Sequence, residues 1–500
     1  MSRSSDVCLI LEGTYPYVAG GVSSWVHQLI TAMHDIRFSL LIIMPSRDYI
    51  REMKYSVPPN LVEIRHVFIH DYETSVPSPW KVRKRKKDIF KQLENVIVKS
   101  LKGNIEDYPD LIRLFIPGPN GKQILNLNDL IYSTDSWQML VNLYKHYDLS
   151  VSFIDYFWTY RFTVLPLIQL FNVDIPNAPI YHAISTGYAG ILGAAASICN
   201  KSVLLITEHG IYSKERKIEI AQATWIYDER EESIRPQEEL SYFKKWWITF
   251  FELLSRVSYE YASEIITLFG GNQLEQIKCG ADESKLSIIP NGIDMNKFFP
   301  IERHIDENDD HFVIGFVGRV VPIKDVKTFI KSIKVVLDYL PNIQVLIIGP
   351  TDEDEDYFEE CVQLCDMLFL DKVIKFTGKV NIAEYYPKID LVVLTSESEA
   401  QPLVILEANA MGIPVVASDV GACEELCFGR TLEDQALGVS GYITGVSDPD
   451  DTAAAIVEIL SNPDLYNSMS KSGIERVRKF YGQNDLFAQY LNLYEKYMYW

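Results

Sequence analysis

At 500 residues the chain exceeds what one hydrophobic core usually covers, so two domains of roughly 200 to 280 residues are expected. With 47% hydrophobic and 23% charged residues it reads as an ordinary globular protein, and no apolar run approaches the roughly 20 residues of a membrane span. The net charge of −21 excludes nucleic acid or an anionic membrane as the partner of the surface as a whole.

In chain order, the opening MSRSSDVCLILEG carries a short apolar run that ends at Glu12 without a small-residue cleavage site, which predicts a cytoplasmic protein. YPYVAGGVSSWV, residues 15–26, then opens a helix after that strand, where α/β proteins bind phosphate, yet it has neither a P-loop lysine nor the GxGxxG spacing. Gly20 and Gly21 either merely turn the chain or make part of a site completed elsewhere.

Strands are predicted at VCLILEG (7–13), FSLLIIMP (38–45), LSVSFID (149–155), APIYHAIS (178–185), SVLLITEHG (202–210) and EIITLF (264–269). The span 71–147 departs from this rhythm and predicts a helical insertion. Within it KVRKRKK (81–87) is either a solvated helix start or a dock for a membrane or an acidic partner. Aromatic residues crowd 225–261 (Trp225, Tyr227, Tyr242, Phe243, Trp246, Trp247, Phe250, Phe251), which suits core packing of a helix or an exposed apolar groove. The seven cysteines fit reduced thiols, since the CxxxC pairs lack a matching zinc pattern.

IIPNGIDMNKFFP (288–300) marks a connection, which puts the domain boundary near 284. A second set of strands follows: LSIIPNG (286–292), FVIGFVGR (312–319), IQVLIIGP (343–350), VIKFTG (373–378), LVVLTS (391–396) and PVVASDV (414–420). The fold class is α/β, with two Rossmann-like domains over 1–284 and 285–482.

Three loops of the second half point to chemistry. In TSESEAQPLVILEANAMGIPVVAS (395–418) a strand ends beside Glu397 and Glu399, and Pro402 opens a helix. The amides of Leu403 and Val404 would face a diphosphate, and Glu407 could accept both hydroxyls of a ribose. In FVGRVVPIKDVKTFI (316–330) Gly318 ends a strand, so that Arg319 and Lys324 arrive where a departing diphosphate needs cations. In FTGKVNIAEYYPKID (376–390) the backbone at Gly378, Lys379 and Val380 can meet a nucleobase edge. In the first half, His182 and His209 end apolar strands and are either structural histidines or candidates for proton exchange with a reacting hydroxyl, with Tyr188 and Glu208 as candidate acceptor contacts.

GGVSSWV, IPNGID, GRVVPIKD and the E-x7-E spacing of Glu399 and Glu407 resemble the retaining GT-B glycosyltransferases of family 4. EGTYPYVAGGVSSWV, HAISTGYAG and TEHGIY are similar to the branch that serves Pel exopolysaccharide synthesis in the cytosol. The family's EGFGLVxLEA stands here as EAQPLVILEA, which alters the sugar pocket and keeps both glutamates. The resemblance implies two domains facing across a cleft, with a final helix (483–500) packed back on the first domain. It implies Glu399 beside the donor sugar, Glu407 on the ribose, and Arg319 with Lys324 on the diphosphate of a UDP-sugar. Gly20, Gly21, Gly318, Val380, Pro402, Leu403 and Val404 complete the donor contacts, and Glu399, His209 and His182 are the catalytic candidates. A saccharide acceptor, membrane-embedded polysaccharide synthase partners and no metal cofactor are further implications.

Three other readings compete. GPTDEDEDYFEE (349–360) contains DxD patterns that could hold Mg²⁺ or Mn²⁺ in a GT-A transferase, or it is an acidic helix start. A non-catalytic UDP-sugar-binding subunit would keep the fold without the chemistry. An NAD-dependent dehydrogenase would need the missing GxGxxG fingerprint.

Overall fold

The computed structural model describes residues 4–72, 86–101, 103–116, 123–146, 151–223, 226, 240–298 and 311–498. The chain divides into two compact units, one holding 1–267, 273–287 and 491–500, the other 268–272 and 288–490.

The first unit is built on β1 (Val7–Glu12), β2 (Phe38–Met44), β3 (Leu61–Phe68), β4 (Ile180–Ala183), β5 (Val203–Glu208), β6 (Glu264–Thr267) and β7 (Leu286–Ile288). Their order in the sheet is β3-β2-β1-β4-β5-β6-β7. All residues of β2 and β4 are buried, because helices cover both faces of a parallel sheet. The helices are α1 (Gly21–Ala32), α2 (Lys87–Leu101), α3 (Tyr108–Phe115), α4 (Leu127–Tyr132), α5 (Thr134–His146), α6 (Phe153–Leu170), α7 (Tyr188–Asn200), α8 (Tyr212–Gln222), α9 (Tyr242–Tyr261) and α10 (Gly270–Lys278). One apolar core joins the sheet to α2–α9.

Four features differ from the sequence expectations. Residues 151–155 of the expected strand LSVSFID do not form one, and 149–150 lie outside the described residues: α6 begins at Phe153 and buries Tyr156, Tyr160, Thr163, Leu167 and Leu170 at helical spacing, a period that seven residues are too few to reveal. LVEIRHVF forms strand β3 despite its charges, which an edge strand tolerates; Arg65 pairs there with Glu63 at 2.6 Å and Asp174 at 2.8 Å. LSI (286–288) pairs in the first sheet rather than the second. GYIT (441–444) forms an additional strand at the edge of the second sheet.

Residues 81–85 of the basic run lie outside the described residues. Lys86 is no free surface cation, since its Nζ donates to Asp129 at 2.7 Å and to the Ile124 carbonyl at 2.6 Å. Trp225 and Tyr227 also lie outside the described residues, whereas Phe243, Phe250 and Phe251 of α9 are buried in the core. All seven cysteines are free thiols.

The second unit contains β8 (Phe312–Val317), β9 (Ile343–Ile348), β10 (Ile374–Gly378), β11 (Leu391–Leu394), β12 (Val415–Ser418) and β13 (Gly441–Thr444), ordered β10-β9-β8-β11-β12-β13. Around them pack α11 (Val326–Val336), α12 (Glu355–Met367), α13 (Leu403–Ala410), α14 (Cys423–Phe428), α15 (Leu432–Gln435), α16 (Pro449–Leu460) and α17 (Pro463–Phe480). Arg476 of α17 is fully buried and its charge is met by Asp434 at 2.6 Å and by the carbonyls of Cys427 and Gly438. The last helix is α18 (Gln483–Met498), whose final turns, from Leu491, belong to the first unit. Among the described residues no helix is long and apolar enough to cross a membrane.

Those final turns are tied down by a buried polar chain. Tyr494 OH meets His182 Nδ1 at 2.7 Å, and His182 Nε2 meets Thr207 Oγ1 at 2.8 Å. The imidazole is fully buried, and burial pushes its pKa from 6.5 down to about 3. As pH falls from 6.5 towards 3, the unfolded chain takes up a proton there that the native chain refuses, so this histidine lowers stability as pH falls. His182→Gln is expected to flatten the stability–pH curve between pH 6 and 4 by about 1.4 kcal/mol per pH unit, read by chemical denaturation against the wild type. An unchanged slope would contradict a neutral buried imidazole.

Candidate functional site

At the carboxyl end of β11 the chain leaves the core at Thr395, whose hydroxyl donates to the carbonyl of Asp325 at 2.8 Å. The Glu397 amide donates to the Ile323 carbonyl at 2.9 Å. These bonds fasten the loop after β11 to the loop after β8, although 70 residues separate Thr395 from Asp325. Asp325 itself adopts the left-handed conformation (φ 42, ψ 52) and caps α11 by accepting from the Thr328 amide at 3.2 Å.

The fastening brings Lys324 and Glu399 together. Lys324 Nζ donates to Glu399 Oε1, and Ser396 Oγ donates to the same oxygen at 2.7 Å. Both charged side chains are largely buried, with 18% of Lys324 and 13% of Glu399 exposed. The Glu399 loop is also pinned from behind. Gly421 has φ +56, and a Cβ there would lie 2.2 Å from the Glu399 carbonyl oxygen and 2.5 Å from that of Ala400, so only glycine fits.

Immediately afterwards α13 begins at Leu403, with Pro402 as an N-cap that offers no side-chain acceptor. The first amides of a helix without a cap, with the dipole behind them, suit an anion. Glu407 lies about one turn further along, and its Oε2 accepts from Tyr386 OH at 2.7 Å. Burial raises the Glu407 pKa and the Tyr386 bond opposes the rise. Tyr386 was not singled out from sequence, because it lies on another loop, 21 residues before its partner. Ser396 was equally unremarked, although its place three residues before Glu399 was readable.

The remaining candidates of this unit are less engaged with one another. Arg319 is half exposed and turns to Glu353 at 2.7 Å rather than to Glu399. Gly318 follows β8, its amide donating to the Ile348 carbonyl at 2.9 Å. Val380 sits two residues beyond β10, half-buried against the core. In the acidic run, Asp354 accepts from the Tyr357 amide at 2.9 Å and so caps α12. Among the described residues no group of three His, Cys, Asp or Glu side chains is placed to hold a metal ion.

In the first unit, Gly20 and Gly21 are exposed at the head of α1, which has no side-chain cap. A Cβ at either position would meet nothing within 4 Å, and Gly20 has an extended φ of 170 that any residue adopts. The fold does not need these glycines. One turn along, Trp25 packs its ring edgewise on His209 at 4.8 Å between centroids. Trp25 stood inside the quoted motif but carried no signal of this contact. Among the described residues His209 Nε2 is buried without a hydrogen-bond partner, and burial lowers the pKa of the ring to about 4, so it is a neutral imidazole at pH 7.

Two expectations are corrected here. His182 was a catalytic candidate, but both its nitrogens are engaged and none of it is exposed, so it holds α18 rather than meeting a reactant. Glu208 was an acceptor contact, but it is 1% exposed and accepts from Tyr259 OH (2.6 Å), Gln276 Nε2 (2.9 Å), Thr186 Oγ1 (2.9 Å) and the Tyr212 amide (3.3 Å). Tyr188, at the start of α7, is half-buried.

Residues 5–284 match the family described as a domain of unknown function (DUF3492), and residues 298–476 match glycosyl transferases group 1. The chain is 28% identical over 234 residues to the D-inositol 3-phosphate glycosyltransferase of Kribbella flavida, which covers 44% of this chain and 51% of that protein. It therefore spans about half the length of the curated relatives it matches. Sucrose-phosphate synthase from Thermosynechococcus elongatus aligns over 98% of both chains with a TM-score of 0.55 and 16% identity. Anabaena HepE, solved in complex with UDP-glucose, aligns over 98% of this chain and 99% of its own with a TM-score of 0.56 and 15% identity. Those structural likenesses show a shared fold of two parallel-sheet Rossmann-like domains. The chain belongs to the DUF3492 family through residues 5–284, matches glycosyl transferases group 1 over residues 298–476, and has the GT-B fold.

Proposed function

We propose that the protein is a retaining glycosyltransferase that moves a hexose from a UDP-sugar, UDP-glucose or a UDP-N-acetylhexosamine, to a growing exopolysaccharide. The observation that carries this reading is the Lys324–Glu399 pair, set beside the uncapped head of α13 with Glu407 one turn on. A cation, free amides and two carboxylates stand in the order that a diphosphate, a sugar and a ribose require. HepE, of like fold, binds UDP-glucose.

Breaking the anomeric bond leaves positive character on the sugar and negative charge on UDP. Lys324 turns from Glu399 towards the leaving diphosphate, Arg319 exchanges its exposed partner Glu353 for the same group, and the Leu403 and Val404 amides add hydrogen bonds. Glu399 then faces the donor sugar. Its bond from Ser396 favours positioning the sugar over attacking it, with the leaving phosphate taking the proton of the acceptor hydroxyl. Glu407 accepts from the ribose hydroxyls, and the backbone near Gly318 and Val380 lies beside the nucleotide. Gly20 and Gly21 keep the head of α1 open to an anionic group, and His209, neutral at pH 7, donates one hydrogen bond to a sugar hydroxyl. No metal is required for these steps.

The segments EGTYPYVAGGVSSWV, HAISTGYAG and TEHGIY resemble PelF, the cytosolic glycosyltransferase of Pel synthesis, and this resemblance suggests docking to membrane-embedded synthase partners.

Incubation with UDP-glucose, UDP-galactose and their N-acetylamino counterparts should release UDP and extend a saccharide with at least one of them, in EDTA as well as without it. If only another nucleotide sugar is used, the donor assignment fails. Glu399→Gln should lower transfer by about 100-fold or more while UDP still binds. Unchanged transfer would favour a UDP-sugar-binding subunit without catalysis. Gly20→Val should cost no more than about 1 kcal/mol of stability, because nothing stands within 4 Å, yet cut transfer tenfold or more. Equal losses of stability and transfer would make the motif a simple turn.

A further inference from the structure

We propose that Asp325 and Ser447 are positioning residues of the second unit that together set where Lys324 stands, a role that rests on Lys324 as the cation of the donor diphosphate. At the carboxyl edge of this sheet the chain passes twice through the left-handed region without using glycine. Asp325, directly after Lys324, has φ 42 and ψ 52, and Ser447, in the loop between β13 and α16, has φ 55. Glycine would take either conformation at no steric cost, whereas a side chain there is strained. Strain of this kind persists only where its surroundings impose it, and such positions cluster at functional sites. Here the two strained residues bond to each other: Ser447 Oγ donates to Asp325 Oδ2 at 2.8 Å.

Asp325 is the point where three loops meet. Its Oδ1 caps α11, its Oδ2 receives the loop after β13, and its carbonyl receives Thr395 from the loop after β11. The residue is 9% exposed, so water contests these bonds little. Lys324 precedes it by one peptide, and the Thr395 hydroxyl also lies 3.3 Å from the Lys324 carbonyl. The lysine backbone is thereby fixed on its C-terminal side, and its own amide is held by donating to the Val321 carbonyl at 3.0 Å. What stays free is the side chain, whose ammonium can leave Glu399 for a diphosphate while the backbone keeps its place. A cation held ready in this way binds an anion better than one that must first be ordered. Ser447 acts on the donor through Asp325 and Lys324, with no contact of its own required.

Two measurements on the full chain separate this role from the donor reading. The first is acetylation of Lys324 by an N-hydroxysuccinimide ester, read by peptide mass spectrometry and scaled to the exposed Lys331 and Lys334 of α11. Ser447→Ala changes no charge and replaces an exposed residue, and it should raise Lys324 labelling about fivefold against those two lysines. A general loss of stability would raise all three. Ser447→Gly should act like Ser447→Ala although it relieves the strain, because the hydroxyl is lost. Asp325→Ala should have at least that effect, and the conservative Asp325→Asn, which tolerates the turn and keeps the cap and a bond to Ser447, should restore wild-type labelling within about twofold. The second is calorimetric titration with UDP. Ser447→Ala should weaken UDP about fivefold alone and less than about twofold in a Lys324→Met background, where no ammonium is left to misplace. Unchanged labelling of Lys324 in either Ser447 variant, or UDP weakened equally in both backgrounds, would overturn the positioning role. A wild-type chain that binds no UDP would overturn the donor reading instead, and the labelling would still decide the role of Asp325 and Ser447.

Discussion

Every strand pair from β1 to β6, and every pair in the second sheet, runs parallel, which puts the carboxyl ends of the strands along one edge of each sheet. Helices cover the faces, so the edge is where the backbone leaves the core with its polar groups still to be met. In the second unit the loops after β8 and β11 meet those groups by bonding to each other, through Thr395 to Asp325 and Glu397 to Ile323. The Lys324–Glu399 pair is a product of that fastening. Two charges more than 80% buried are tolerable because each has the other, and Ser396 satisfies the carboxylate further.

The first unit answers the same constraint differently. Adjacent residues at the end of β5 point to opposite sides of the sheet. Glu208 goes inward to four donors from the α7–α10 side of the unit, and His209 goes to Trp25 of α1. A strand-end carboxylate and a strand-end imidazole look alike as candidates until their neighbours are known. Glu208 is spent on structure, and His182 likewise, whereas His209 keeps a nitrogen without a partner among the described residues.

The helical region of the same unit packs into the one apolar core that covers the sheet. In α9, Phe243, Phe250 and Phe251 fill that core and Trp246 packs against it.

What the sequence determined by itself was whatever is local. Continuous Val, Ile and Leu runs mark buried parallel strands, and Glu399, Pro402 and Glu407 were legible because one strand, loop and helix within about 20 residues place them. LSVSFID misled because a short apolar run has no readable period, and LVEIRHVF and GYIT were passed over because edge strands bury too little to look like strands. Tertiary structure decided everything that depends on distant partners. Lys324 meets Glu399 across 75 residues, Tyr386 holds Glu407 from another loop, and Tyr494 claims His182 across 312. A side chain's chemistry is set by what surrounds it, and burial with saturated hydrogen bonds turns the same imidazole or carboxylate from a reagent into a fastening.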